Sequence, residues 1–223
     1  MELRYFAIEG KAAPIRHLLR HMNVDFVDHR YANREEFLET DKKTAKFGQV
    51  PLLRARVGGK QVDLVQTSSI MRYLARAYNR TDLYPEGVLA ELVDALLDFE
   101  VDLSLGETAI RYNERHGVVL TDESRASSQR AYVKVIKDAK GKLSYLEKAL
   151  ADGGTGWVAG TPSPTIADFV WGNRLRYTMK MIGEWGGHGE LVETKRRFPS
   201  VSKFVVAFAE LPAVRYWDRF ASK

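Results

Sequence analysis

One segment in the first third of the chain constrains the fold more than any other part of the sequence. Residues 50–53 form a short apolar run typical of a strand, and the two glycines at 58–59 signal a turn into a second strand at residues 62–65. Residues 66–69 are polar and stand where a helix should begin, and apolar residues follow at helical spacing from Ile70 onward. The pattern predicts two strands that lead directly into a helix.

The predicted helix start has the chemistry of a site for a small anion. The first N–H groups of a helix carry the positive end of its macrodipole, and one amide and three hydroxyl groups stand beside them at residues 66–69. Pro51 cannot donate to a sheet, which places its strand at an edge or at a break facing a ligand, where an extended peptide can pair with Val50. The same residues would also serve as ordinary caps of a βα unit, and their chemistry alone leaves both interpretations open.

Composition favours a globular protein that has no thiol of its own. The 223 residues are 45% hydrophobic, enough for one large core or two modest ones, and 28% charged. There are no cysteines, which excludes disulfides, thiolate metal sites and a cysteine nucleophile, and we expect no metal. The apolar runs are shorter than the roughly 18 residues of a membrane span, and the first residues lack the pattern of a signal peptide. We expect a cytoplasmic protein without membrane contact.

The charges do not favour a nucleic-acid partner. The chain has 34 basic and 29 acidic residues and a net charge of +5. The two signs are interspersed without a block of five like charges, which is typical of a solvated surface. The positive excess offers only mild attraction for an anionic ligand.

The hydrophobic patterns divide the chain into two parts. Strand-like runs at residues 3–8 and 24–31, a helical pattern at 14–21 and a polar helix at 34–43 precede the segment described above. Together they predict the order β-α-β-α-β-β-α over residues 1–79, an α/β domain with a small mixed sheet flanked by helices.

Beyond a polar linker at residues 80–86, strand patterns almost vanish. Helical patterns cover residues 88–115, 123–151, 166–181, 201–209 and 214–220. Residues 87–223 are therefore predicted to form an all-α helical bundle. Thr165 stands three residues before Asp168, the spacing of a capping box, in which each side chain bonds a backbone N–H at a helix start.

The motifs of the first part resemble the glutathione-binding half of cytosolic glutathione transferases. The residues that carry the resemblance are Gln49-Val50-Pro51 and, fifteen residues after the proline, Gln66-Thr67. The resemblance implies a thioredoxin-like first domain, a cis proline and a backbone pairing of Val50 with the cysteinyl unit of glutathione. It also implies that the Gln-Thr pair holds the γ-glutamyl carboxylate. The capping box opens a buried helix in the same family, so the resemblance covers most of the chain.

The resemblance also implies a catalytic residue. The segment L-R-Y-F at residues 3–6 resembles the first strand of tyrosine-type members, in which a tyrosine donates its hydroxyl to the glutathione sulfur. Lowering a thiol pKa from near 8.5 by roughly two units needs about 2.7 kcal/mol, which one hydrogen bond to a charged group nearly supplies. Tyr5 is therefore the predicted donor, unless it is a strand tyrosine that only packs. Lys11 or a helix N-terminus would add positive potential.

The chain departs from the family at three positions. Alpha, mu and sigma enzymes usually have an arginine where this chain has Glu9, and Lys11 stands where alpha and sigma enzymes have an active-site arginine. Leu38 takes the place of a tryptophan that contacts glutathione in mu and sigma enzymes. Glu9 is favourable near a helix start and is expected to be structural. Within the alpha, mu, pi and sigma group the nearest classes are alpha and sigma, and the loss of an arginine fork at Lys11 implies weaker activation of the sulfur.

Further glutathione contacts follow from the same resemblance. Lys42 has the spacing of a lysine that sigma-like members use for the glycyl carboxylate, although Lys43 or Lys46 could substitute and an exposed lysine would give the same pattern. Asp102 resembles an aspartate that reaches the γ-glutamyl amino group bound to the partner chain, with Asp98 as a neighbour of the same chemistry.

A homodimer is implied as well. Phe47 matches the aromatic residue that related classes insert into the partner's helical domain, the alternative being an ordinary core phenylalanine. A pocket for the electrophile is expected between the domains, but it varies most within the family, so no substrate can be named. Its predicted lining residues are Phe6, Thr108, Tyr112, Phe208, Trp217 and Phe220.

The leading hypothesis is a glutathione S-transferase with glutathione as co-substrate. Its thiolate would attack an electrophilic carbon of a small molecule or a peroxide oxygen. Two alternatives stay open. A chain of this fold can be a non-catalytic structural or binding protein, and sigma-like members use the same site for glutathione-dependent isomerisation of a prostaglandin precursor.

Overall fold

The first part of the chain forms the predicted mixed α/β domain. The computed structural model describes residues 1–218, with side chains through residue 215. The elements of this part are β1 (Glu2–Phe6), α1 (Ala13–His21), β2 (Val27–Tyr31), α2 (Arg34–Glu39), β3 (Leu52–Val57), β4 (Lys60–Val65) and α3 (Thr67–Ala77). The strands form one sheet in the order β2-β1-β3-β4, with β1 parallel to β2 and antiparallel to β3. The predicted order of elements is confirmed.

The two faces of the sheet differ in chemistry. Leu3 lies opposite Leu53 in the register of β1 and β3, and both residues are fully buried. Side chains alternate between faces along a strand, so Arg4 and Arg54 lie on the other face. The face of Leu3 and Leu53 therefore forms most of the apolar core, whereas Arg4 and Arg54 lie on the face that α2 covers.

Several element ends of the first part differ from the sequence prediction; β2, for example, was predicted from residue 24 and begins at Val27. The first strand, predicted over residues 3–8, ends at Phe6, where its pairing with β2 ends. The polar helix that was expected to reach residue 43 ends at Glu39. The carbonyl of Phe37 accepts the N–H groups of both residues 41 and 42, which turns the chain back towards the sheet at this point.

The second part is all-helical, as predicted. Its elements are α4 (Val88–Arg111), α5 (Asp122–Lys137), α6 (Lys142–Gly153), α7 (Ile166–Gly186), α8 (His188–Arg197) and α9 (Pro199–Glu210), and α10 (Pro212–Asp218) follows. Helix α7 buries Trp171, whose indole N–H donates to the Leu96 carbonyl of α4 at 2.8 Å. Gly172 lets α9 approach α7, because a Cβ there would lie 2.2 Å from the ring of Phe208.

The chain divides into two compact units between Tyr84 and Pro85, inside the predicted linker. Of the described residues, Leu211 to Asp218 group with the first unit, because α10 packs against α1. The second unit therefore ends at Glu210, which corrects the prediction that the helical domain extends to residue 223. No helix in the described part of the chain combines the length and the apolar composition that crossing a bilayer requires.

The predicted capping box at the start of α7 is present. The Asp168 carboxylate accepts the backbone N–H groups of Thr165 at 2.7 Å and Val158 at 2.8 Å, and the Thr165 hydroxyl at 2.9 Å. The side chain is fully buried, and burial raises the pKa of Asp168 to about 6 in spite of these hydrogen bonds. The box joins the start of α7 to the loop that precedes it.

Replacing Asp168 by alanine should lower the free energy of unfolding by about 2 kcal/mol, because a helix cap is lost and buried N–H groups lose their acceptor. The loss should be larger at about pH 4 than at about pH 7, because the folded protein holds the Asp168 proton more tightly than the unfolded chain and this advantage disappears as pH rises through about 6. Urea unfolding followed by circular dichroism measures both values. Asp122→Ala, at the exposed start of α5, is the control and should cost less than about 0.5 kcal/mol. Equal losses in the two variants would contradict the role of the box.

Candidate active site

Tyr5 lies near the end of β1 with only 9% of its surface exposed. Its hydroxyl oxygen accepts the backbone N–H of Lys11 at 3.2 Å. Lys11 lies in the helical turn that leads into α1, so this N–H belongs to the positive end of a helical segment. A hydroxyl whose oxygen already accepts a hydrogen bond is a stronger donor.

The turn approaches the Tyr5 hydroxyl through a glycine. Gly10 has a φ of 45°, and a Cβ at this position would lie 2.6 Å from the Tyr5 hydroxyl oxygen. Any larger residue would displace either the ring or the turn. The side chains of Glu9 and Lys11 are both exposed, so the fit of this segment depends on Gly10.

Lys11 joins Tyr5 to the start of α3 through its main chain. Its N–H donates to Tyr5, and its carbonyl accepts the hydroxyl of Thr67 at 2.8 Å. A hydroxyl has one proton to donate, and Thr67 gives it to Lys11. A carboxylate bound here would therefore accept a hydrogen bond from the backbone N–H of Thr67. The Thr67 hydroxyl remains bonded to the turn that contains Lys11.

The start of α3 has the features of an anion site. Within the described residues no side chain caps this helix, and the Gln66 carbonyl accepts the N–H of Ile70 as the first bond of the helix. The N–H groups of residues 67–69 therefore have no acceptor within the helix. The side-chain amide of Gln66 donates to the amide oxygen of Gln49 at 2.8 Å. The structure thus brings together the two glutamines of the motifs that carry the resemblance.

The Val50–Pro51 peptide bond is cis, as the resemblance implies. The bond lies directly before β3, which has β1 on one side and β4 on the other. Of the two alternatives for Pro51, an edge strand is therefore wrong, and the proline lies at a break that precedes the strand. Val50 packs against a small cluster. The cluster consists of Ala45, Leu52 and Val65.

Lys42 lies against the segment that precedes the cis proline. Its ammonium group donates to the Gly48 carbonyl at 2.9 Å, and its side chain is exposed. Lys46 instead lies over the ring of Phe47, 5.8 Å from the centroid. Phe47 is 68% exposed, which excludes the alternative that it is a core phenylalanine.

A buried arginine that the sequence did not reveal lies beside Tyr5. Arg16 of α1 is fully buried, and its guanidinium carbon is 5.9 Å from the centroid of the Tyr5 ring. It donates to Asp28 at 2.9 Å and to two backbone carbonyls at 2.8 and 3.3 Å. Burial lowers the pKa of Arg16 and Asp28 partly restores it, but an arginine stays charged in proteins. Arg16 therefore places a buried positive charge beside the ring of Tyr5, whereas the side chain of Lys11, the residue expected to add positive potential, is exposed. An arginine inside an apolar helical pattern was the available signal.

Phe6 and Asp102, two other predicted site residues, differ in their contacts. Phe6 of the first unit is partly exposed and packs against the rings of Tyr31 and Phe37, with centroids 5.6 and 5.7 Å away. Asp102 is exposed on α4 and forms an ion pair with Lys142 at 3.0 Å. The described residues hold no group of three or more histidine or acidic side chains arranged as a metal site.

The electrophile-pocket candidates of the second unit divide into exposed and buried residues. Thr108 is partly exposed and Tyr112 is 44% exposed at the end of α4. Phe208 is fully buried with its ring near those of Phe169 and Phe204, so its predicted place in a pocket is corrected to a place in the core. Phe220 and the side chain of Trp217 lie outside the described residues.

Comparison with known proteins agrees with this geometry. The family model "Glutathione S-transferase, C-terminal domain" matches residues 114–219. Glutathione S-transferase 4 of Caenorhabditis elegans is 30% identical over 182 residues, which make up 80% of this chain and 80% of that protein. The chain belongs to the glutathione S-transferase family. A glutathione S-transferase of Tyrophagus putrescentiae is similarly 29% identical over 216 residues, 92% of this chain and 89% of that protein.

The fold is shared with solved glutathione S-transferases. The Pi-class glutathione S-transferase of Onchocerca volvulus matches this chain with a TM-score of 0.77 at 25% identity, over 99% of this chain and 93% of that chain. The predicted thioredoxin-like domain followed by a helical domain is therefore confirmed.

Gly10→Ala should slow glutathione conjugation by about tenfold or more, because the new Cβ displaces the Tyr5 hydroxyl. Gly58→Ala is the matched control. Gly58 also has a positive φ, 57°, but among the described residues no atom lies within 4 Å of its Cβ, so this variant has the backbone strain without the clash. Conjugation of 1-chloro-2,4-dinitrobenzene, followed by absorbance, compares the two. Equal rates would show that the contact with Tyr5 is unimportant.

Proposed function

We propose that this glutathione transferase activates glutathione with Tyr5 and transfers its sulfur to a small electrophile or a peroxide oxygen. The observation that carries the proposal is the hydrogen bond from the Lys11 N–H to the Tyr5 hydroxyl. Through the Lys11 carbonyl the same residue holds Thr67 at the start of α3. One turn of chain thus positions both a donor for sulfur and a receptor for a carboxylate.

Glutathione would bind in an extended form on the first unit. The γ-glutamyl carboxylate takes the N–H groups at the start of α3, beside Gln66, and Gln49 supports that glutamine. The cysteinyl backbone pairs with Val50 at the break before β3, next to Pro51. The glycyl carboxylate binds the ammonium group of Lys42. That group gives up its hydrogen bond to the Gly48 carbonyl and forms a stronger, charge-assisted bond to the carboxylate.

The thiolate is stabilised by two groups of different kinds. The Tyr5 hydroxyl donates a hydrogen bond to sulfur, worth about 1.5–3 kcal/mol because the acceptor is charged. Arg16 adds a fixed positive charge from within the core. The thiol proton leaves to solvent, the sulfur forms a bond to the electrophilic carbon, and the leaving group departs with the bonding electron pair. Thr108 and Tyr112 are the candidate contacts of the electrophile.

A homodimer is proposed from two exposed apolar surfaces. Phe47 projects from the segment before the cis proline. Helix α4 exposes four apolar side chains with exposures of 43–59%, one pair near its start and one pair about half a turn around the helix in its second half, and exposed apolar groups of this kind favour a protein partner. These residues are Leu89, Leu92, Val101 and Leu105. In the dimer, Asp102 of one chain would serve the γ-glutamyl amino group bound to the other, and the enzyme would act in the cytoplasm.

Tyr5→Phe should lower kcat for conjugation about 25-fold at pH 7, because loss of about 2.7 kcal/mol of thiolate stabilisation raises the thiol pKa by about two units and lowers the ionised fraction from about three quarters to about 3%. The defect should shrink as pH approaches the raised thiol pKa, while glutathione affinity measured by calorimetry at pH 7 falls only about fourfold, the change that follows from the pKa shift of the bound thiol. Tyr145→Phe, on the exposed side of α6, is the control and should have the wild-type rate. Full activity of Tyr5→Phe near neutral pH would refute the mechanism, and no binding of millimolar glutathione to the wild type would favour a non-catalytic protein.

Phe47→Ser should shift the protein from dimer to monomer, because the most exposed aromatic contact of the proposed interface is lost. Sedimentation velocity at micromolar concentration measures the change. Val119→Ser is the control, since Val119 is 94% exposed in a loop of the second unit and should leave the dimer intact. A wild-type chain that sediments as a monomer would contradict the proposed assembly.

A further inference from the structure

Asp41 is a buried carboxylate at which three strands of the sheet meet. Only 2% of the residue is exposed. Its Oδ2 accepts the Nε of Arg4 at 2.7 Å and the hydroxyl of Tyr31 at 2.6 Å, and its Oδ1 accepts a guanidinium nitrogen of Arg54 at 2.6 Å. The donors come from β1, β2 and β3, so this one carboxylate is fixed to three adjacent strands.

The partners of Asp41 keep it ionised. Burial alone would raise the pKa of the carboxyl, but the hydrogen bond from Tyr31 and the charges of Arg4 and Arg54 outweigh it, and the pKa of Asp41 lies below its usual value. Burial and the bond to Asp41 raise the pKa of Tyr31, so its hydroxyl stays a donor. Charge-assisted hydrogen bonds are about twice as strong as neutral ones. Asp41 is therefore a rigid point on the charged face of the sheet.

The main chain of Asp41 begins the segment that carries Lys42 and Gly48. Its carbonyl accepts the N–H groups of Thr44 and Ala45 at 3.1 and 2.7 Å. The N–H of Gly48 then bonds to the Ala45 carbonyl at 2.8 Å, and the Lys42 ammonium group bonds to Gly48 at 2.9 Å. Residues 42–44 and 46–47 are exposed, so Asp41 and Ala45 are the buried anchors of this segment.

We propose that Asp41 is a positioning residue for the glycyl end of glutathione. The inference rests on the proposed function, in which Lys42 meets the glycyl carboxylate. Asp41 does not touch the ligand, but it holds the segment of residues 42–48 in one conformation before the ligand arrives. Without this anchor, the exposed Lys42 would lose conformational entropy on binding, and its ion pair would contribute little.

Two ligands that differ only at the glycyl end, glutathione and γ-glutamylcysteine, test the proposal. Calorimetry on the wild type should show glutathione bound about tenfold more tightly, which corresponds to about 1.4 kcal/mol. Asp41→Asn should remove most of this preference by weakening glutathione alone, and in turnover KM for glutathione should rise with little change in kcat. Tyr31→Phe removes one donor and is the milder change, so it should give the same selective loss to a smaller extent.

Asp63→Asn is the matched control. Asp63 accepts the Nε of the same Arg54 at 3.3 Å, but it belongs to β4 and not to the segment that carries Lys42. The Asp63→Asn variant should bind glutathione more tightly than γ-glutamylcysteine by the same factor as the wild type. Equal weakening of both ligands in Asp41→Asn and Tyr31→Phe, or an unchanged preference in both, would overturn the positioning role. A wild-type protein that binds neither ligand would overturn the proposed function and the inference with it.

Discussion

The two backbone polar groups of Lys11 hold together the parts on which the site depends. One bonds the hydroxyl of Tyr5 and the other bonds Thr67, which is 56 residues away at the start of α3. Both contacts are made by the main chain, so they are the same whether the side chain is lysine or arginine. The departure of Lys11 from the family pattern therefore changes an exposed side chain and leaves the geometry of the site in place.

Each face of the sheet buries a charged group beside one part of the proposed site. Arg16 lies on the Tyr5 side, paired with Asp28, and Asp41 lies on the α2 side, paired with Arg4 and Arg54. Buried ion pairs recover their desolvation cost only when every partner is in place, and apolar residues of the same size are often as stabilising. We infer that these ion pairs fix the positions of the residues around the site and contribute to the electric field there. Their net contribution to the stability of the fold is small. Arg16 bonds the Ile8 carbonyl in the loop that follows β1, and the main chain of Asp41 begins the segment that leads to β3.

The parts of the fold that sequence could predict depend on local signals. The hairpin follows from two glycines, and the capping box from residues three apart, and both are present. The cis bond before Pro51 required the resemblance, because local sequence favours trans. In each case the residues that determine the local structure are close neighbours in the chain or belong to one recognisable motif.

The residues that sequence missed depend on distant partners. Asp41 meets Arg4 across 37 residues, and nothing near Asp41 in the chain signals that its carboxylate turns inward. Phe208 has the same helical spacing as a pocket residue, and its burial is decided by Gly172 on another helix. The local sequence around Asp41 or Phe208 does not show which surface the side chain faces. That becomes clear only when the element packed against it is known.

The burial of Arg16 has a consequence for how the enzyme responds to its surroundings. A lysine or histidine beside the thiol would lose its proton as the medium becomes alkaline, and the electric field on the sulfur would weaken with it. An arginine keeps its charge over the whole range in which the fold survives, and a position inside the core shields that charge from dissolved salt. Its contribution to the field at Tyr5 is therefore constant, and variation in acidity acts on the substrate thiol itself.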